Sequence, residues 1–260
     1  MDKRTEYWNE TYVKYWKDKV DAANDESKQD ITEGDSKTEN DTEAYGLFNK
    51  VEYHAGDKLL DFGCGFGRFW TFFQDKKQDY YGIDISQAML DEFIRIYPEA
   101  KEKVQTSEGE KLPFADNTFK HIVCNGVFDA CYQEQALEEM LRVCVVGGDI
   151  ILTGKNNNYY EDDTQALIAE RNARRKGHPN YFTDLHRMKQ MLLDKGMEIL
   201  YEKYELRRED MEKGISCYKE PKLFYTWSLI IKKRKQLEKY IFEKFSDQYS
   251  NTWNIVGMSD

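Results

Sequence analysis

The chain has 260 residues, 38 Lys and Arg against 48 Asp and Glu, and a formal net charge of −10; it is 40% hydrophobic and 14% aromatic, with only 4 prolines. That composition supplies a core for one large domain and excludes a collagenous or wholly disordered chain. The acid excess argues against a broad nucleic-acid surface, whose affinity rests on clustered Lys and Arg that displace counterions, so a small-molecule partner is expected and nucleic acid is not.

In chain order, Trp8, Tyr12, Tyr15 and Trp16 recur at helical spacing and predict an amphipathic aromatic helix from Thr5 to about Ala23. Residues 24–40 are Asp, Glu, Ser, Lys, Gln and Thr around Gly34, which reads as a polar surface loop, so residues 1–43 form one N-terminal unit. From Asp57 short apolar runs alternate with helical patterns: strands at 58–62, 79–84, 104–107, 121–125 and 149–154, helices near 66–75, 86–97 and 134–145. This alternation predicts an α/β fold with a doubly wound, mostly parallel sheet, buried on both faces by its crossovers. A polar helical insert at 156–180, a helix over 184–195 stopped by Gly196 and two long strand patterns, MEILYEKYEL and KLFYTWSLIIKK, complete a core over 44–234. The two strands read as an antiparallel pair at one sheet edge. From Lys235 to about Phe245 the pattern predicts a helical tail. The longest apolar run, Leu223 to Ile231, is half a membrane span and is broken by Thr226 and Ser228, and MDKRTEYWNE has no signal-peptide core, so no membrane association and a cytoplasmic location are expected. Cys64, Cys124, Cys131, Cys144 and Cys217 have neither the pairing nor the two-residue spacing of disulfide or zinc sites, so no metal is expected.

The segment LLDFGCGFGRF (59–69) carries the most chemistry. An apolar strand ends in an acid and runs into Gly63, Gly65 and Gly67, a sequence that lets the backbone turn tightly and lets a ligand approach the main chain. A nicotinamide fingerprint needs glycine at 68, where this chain has arginine, so a dehydrogenase is disfavoured. Asp84, 17 residues beyond Gly67 at the end of the second strand, is placed to accept two hydrogen bonds from a ribose diol.

These residues resemble the class I S-adenosylmethionine-dependent methyltransferases, in the branch whose members act on small molecules. Two further blocks carry the resemblance, SEGEKLPFADNTFKHIVCNGVF (107–128) and ALEEMLRVCVVGGDIIL (136–152). It implies a Rossmann-like sheet of seven strands with the last antiparallel, and roles for single residues. Gly63, Cys64 and Gly65 would pass under the methionyl part of S-adenosylmethionine, with Asp61 nearby. Asp84 would hold the ribose and Ile85 pack on the adenine. Glu108 and the Gly109 amide would meet the adenine edge, and Asn125 would offer its carbonyl to the cofactor's ammonium group. The N-terminal helix either packs on the core or closes over the cofactor as a lid, with Tyr15 its expected contact.

The expected reaction is methyl transfer to oxygen or nitrogen of a small metabolite. The polar run Asn156 to Tyr160 suggests a sugar or a nucleotide-linked sugar. His178, titrating near 6.5, and Asp129 are the candidate bases, since a hydroxyl acceptor benefits from one and a free amine does not. The competing readings are a nucleic-acid or protein methyltransferase and a non-catalytic S-adenosylmethionine-binding module; the first lacks the paired prolines after the fourth strand, where this chain has Asn125, Gly126, Val127 and Phe128.

Overall fold

The computed structural model describes residues 3–14 and 39–248. Strands β1 (Lys58–Phe62), β2 (Asp79–Asp84), β3 (Val104–Thr106), β4 (Phe119–Cys124) and β5 (Cys144–Lys155) are mutually parallel wherever they pair. After a two-residue strand β6 (Phe182–Thr183) come β7 (Met197–Glu205) and β8 (Thr226–Lys233), and β8 pairs antiparallel with both β5 and β7. The seven-stranded order is β3-β2-β1-β4-β5-β8-β7. The late antiparallel strand therefore lies between β5 and the edge strand β7, which agrees with the expected antiparallel pair.

Each central strand is apolar on both faces, so helices must cover both. Successive side chains point to opposite layers. Leu60, Ile122 and Ile150 pack with α5 (Gln133–Val143) and α7 (Leu185–Asp194), while Leu59, Val123 and Ile151 pack with α2 (Glu39–Phe48), α3 (Trp70–Asp75) and α4 (Gln87–Ile96). Helix α4 starts where Ser86 Oγ accepts the Met89 amide, and α6 (Thr164–Arg175) and α7 start likewise at Asp163 and Asp184.

Strands β4 and β5 begin earlier than expected, at Phe119 and Cys144, and four further departures concern helices. Helix α3 begins at Trp70 rather than near 66, because Gly67 (φ +78) prolongs the turn and the ring of Phe93 would lie 2.3 Å from a Cβ placed there. Helix α2 begins at Glu39, inside the stretch assigned to the N-terminal unit. At the amino terminus α1 (Lys3–Glu6) continues as π-helical turns over Tyr7–Tyr12, and Tyr15 and Trp16 lie outside the described residues. The helix expected from Lys235 to about Phe245 does not form. That segment runs without helix and buries Tyr240, Phe242 and Phe245; Glu138 accepts the Phe242 amide and Glu134 the amides of Phe245 and Ser246, before β9 (Ser246–Asp247) pairs with β6. Carboxylates of α5 thus replace the hydrogen bonds a helix would have made within itself.

Candidate cofactor and acceptor site

The carboxyl ends of β1, β2 and β4 converge on the glycine turn. Gly63 and Cys64 donate their amides to the Ile83 carbonyl (2.8 and 2.9 Å), and Gly67 donates to the Cys64 carbonyl (2.9 Å). Gly63 sits at φ +79, with Val127 where a Cβ would be, whereas a Cβ on Gly65 would meet nothing within 4 Å among the described residues. The turn is thus clamped on its inner side and open on its outer side at Gly65. Cys64 is buried, its Sγ turned toward Gly82 in β2, so only its backbone faces the turn.

Asp84, half-buried at the tip of β2, accepts the Gly65 amide on Oδ2 (3.0 Å) and the Ser86 amide on Oδ1 (2.9 Å). Burial pushes its carboxyl up to about 6 against the pull of these amides. Each oxygen spends one lone pair on these bonds, which leaves acceptor capacity for a vicinal diol. Ile85 follows, partly exposed. Asp61 is buried and accepts the Tyr80 hydroxyl (2.8 Å); burial raises its carboxyl to about 7, Tyr80 working against this and Asp84 with it. Glu108 is exposed, and Gly109 lies against Phe62, whose ring would be 2.0 Å from a Cβ there. Asn125 is partly exposed at the end of β4, and its neighbour Gly126 donates to Thr153 Oγ1 (2.8 Å).

Beyond β4 and β5 lies a second group. Asp129 Oδ1 accepts the Lys155 amide (2.9 Å), and the Asp129 carbonyl accepts the Tyr181 amide (2.7 Å). Burial raises the Asp129 carboxyl to about 6, with Lys155 lowering and Glu170 raising it. Lys155 Nζ pairs with the buried Glu170 (2.8 Å), which also accepts the Tyr225 hydroxyl (2.5 Å) and Asn180 Nδ2 (2.7 Å). Burial disfavours the Lys155 charge, but Glu170, Tyr225 and Asp129 outweigh it and hold the pKa above its ordinary value.

His178 does not stand in that group as a free imidazole. The rings of Tyr7, Trp8 and Tyr12 meet it edge to face at 5.2, 5.1 and 6.2 Å, and Nδ1 lies 3.1 Å from the Pro179 carbonyl. Burial, aided by Lys155, pushes it down to about 4, against the expected 6.5, so it is neutral at neutral pH. Of the polar run, Asn156 and Tyr159 are buried: Asn156 Nδ2 donates to the Asn158 carbonyl (2.8 Å), and the Tyr159 ring stacks on Phe182. Tyr160 instead lies under the Arg207 guanidinium (4.3 Å).

The sequence did not reveal Arg4, Asn9, Lys155 or Glu170. Glu110 was overshadowed by Glu108, two residues earlier. Arg4 makes a two-pronged pair with Glu110 (2.5 and 2.9 Å) and lies over the Tyr132 ring (4.6 Å), while Asn9 Oδ1 accepts the Ser86 hydroxyl (3.1 Å).

The residues present fit a ribose-bearing ligand approached by bare backbone, with an open Gly65 beside a carboxylate. Residues 60–152 match the family model described as a methyltransferase domain. Over that segment the chain is similar to the S-adenosylmethionine-dependent methyltransferases. It is 34% identical over 108 residues to the ubiquinone/menaquinone biosynthesis C-methyltransferase UbiE of Neisseria gonorrhoeae, covering 37% of this chain and 42% of that protein. The matched segments span less than half the length of these curated relatives. Among solved structures, the geranyl diphosphate C-methyltransferase of Streptomyces coelicolor, in complex with Mg²⁺, geranyl diphosphate and S-adenosyl-L-homocysteine, superposes with a TM-score of 0.62 at 14% identity, covering 89% of this chain and 98% of that one. A chain from the Haloferax volcanii complex of the Trm112 methyltransferase activator with a methyltransferase gives 0.60 at 15% identity, covering 90% and 99%. At these identities the structures show the fold alone. No described helix is long and apolar enough to cross a membrane.

Proposed function

We propose that this protein transfers the methyl group of S-adenosylmethionine to a small-molecule acceptor held beyond the ends of β4 and β5. The observation that carries the reading is the Asp84 carboxylate, fixed by the Gly65 and Ser86 amides beside a turn whose outer side is open. Bound there, the cofactor would supply an electrophilic methyl carbon, which the acceptor takes as the carbon–sulfur bond breaks and the thioether leaves. Asp84 would bind the ribose, Gly63, Cys64 and Gly65 would present backbone to the methionyl part, and Asn125 would receive the ammonium group; Glu108 and Gly109 would border the adenine beside Ile85.

Helix α1 and its π-helical continuation cross from Ser86 past Glu110 to His178, which supports a lid that keeps water from the site. Asp129 is the better proton acceptor for a hydroxyl, because its raised carboxyl titrates near neutrality while His178 is held among rings. The sugar reading loses its support, since Asn156 and Tyr159 are buried in the fold. A C-methyltransferase among the relatives adds carbon to oxygen and nitrogen as acceptor atoms.

Calorimetry with S-adenosylhomocysteine tests the cofactor site. Labelled S-adenosylmethionine with pools of hydroxyl, amine and activated-carbon metabolites then tests transfer. A folded protein that does not bind the product analogue would overturn the proposal, and one that binds it but labels no pool would favour a binding module. One further arm, with nucleic acid and protein as acceptors, tests the competing methyltransferase reading; against that reading stands the net charge of −10.

A further inference from the structure

Glu110 lies two residues after Glu108, in the loop that joins β3 to β4, and faces two ways. Its Oε1 accepts the Tyr132 amide (2.7 Å) at the start of α5, and both oxygens take the Arg4 guanidinium. The pair is well shielded, with side-chain exposures of 10% for Arg4 and 12% for Glu110. Arg4 also covers the Tyr132 ring, whose edge meets Tyr181 at 5.6 Å, and the Tyr181 amide reaches the Asp129 carbonyl. A contiguous set of contacts therefore runs from the cofactor-side loop through the amino-terminal helix to the acceptor side.

We propose that Arg4 and Glu110 are positioning residues that couple occupancy of the cofactor site to closure of the amino-terminal helix over it. This rests on the methyltransferase reading above. An ordered loop at Glu108 and Gly109 fixes the Glu110 carboxylate, and the fixed carboxylate holds Arg4. Because coupling free energy is reciprocal, a docked helix must in turn tighten the cofactor. A shielded ion pair suits this role, since losing one partner leaves the other charge desolvated and opens the contact as a unit.

The test is a double-mutant cycle read by S-adenosylhomocysteine affinity. Glu110→Gln keeps an oxygen for the Tyr132 amide and loses the charge that holds Arg4, so the start of α5 is retained. Arg4→Ala and Glu110→Gln should each weaken binding about tenfold, within the usual range of such couplings, and the double variant no more than either alone. Hydrogen exchange gives a second readout: cofactor product should protect amides of residues 3–14 in the parent and not in Glu110→Gln. Single variants within twofold of the parent, or effects that multiply in the double variant, would overturn the coupling while leaving the cofactor site standing. A parent that fails to bind removes the cofactor reading, and the coupling falls with it.

Discussion

On the role proposed for Asp84, affinity for the cofactor should depend on pH, with a sign and size that follow from its raised carboxyl pKa. Ribose hydroxyls donate, so the ionised carboxylate is the binding form, and binding draws the carboxyl pKa down from its raised value of about 6. Affinity is therefore full above that value and lost as pH falls through it. At pH 5 such a carboxyl is about nine-tenths protonated, so the Kd for S-adenosylhomocysteine should rise about tenfold between pH 8 and pH 5. Calorimetry at fixed ionic strength measures this directly. Asp84→Asn should bind about 2 to 3 kcal/mol more weakly at pH 8, having lost two charge-assisted hydrogen bonds, and the pH step should vanish. The same substitution also disturbs the Gly65 and Ser86 amides, so its unfolding is measured alongside. Asp61, titrating near 7, is the control: Asp61→Asn should retain the step. A parent Kd constant within twofold from pH 5 to pH 8 would refute Asp84 as the ribose acceptor.

Asp61 makes a separate prediction for stability. Its folded pKa of about 7 lies above the unfolded value of 3.8, so the parent loses stability as pH rises from about 4 to about 7, and the advantage of Asp61→Asn in urea unfolding should grow by about 2 to 4 kcal/mol over that window; a constant difference would contradict the raised pKa. Gly67→Ala places a Cβ against the Phe93 ring at φ +78 and should cost about 2 to 4 kcal/mol by chemical denaturation, part of it recovered by Phe93→Leu; a cost below about 1 kcal/mol would show that the turn relaxes freely. His178→Ala removes the imidazole from between Tyr7, Trp8 and Tyr12, so Trp8 emission, taken by difference from Trp8→Phe, should shift to the red; an unchanged spectrum would mean that His178 does not hold the helix down.

The parallel core and its glycine turn were legible because their causes are local. Apolar runs such as KLLDF and HIVCN are buried on both faces and so advertise themselves without reference to any partner, and glycines at 63, 65 and 67 report backbone needs that no neighbour can hide. The place of Asp84 was legible for the same reason, since it closes the second apolar run and ends β2. What lay beyond the sequence depends on distant pairing. The stretch after Lys235 carries a helical pattern, yet Glu134 and Glu138, about a hundred residues away, supply acceptors for its amides and pull three aromatics into the core. His178 read as a base with an ordinary pKa until three rings from residues 7–12 enclosed it. The Arg4–Glu110 and Lys155–Glu170 pairs join residues 106 and 15 positions apart, and no periodicity records such a meeting. Burial is then the largest influence on these groups: desolvation raises Asp61, Asp84 and Asp129 and lowers His178, and its extent is a property of the packed chain rather than of the residue.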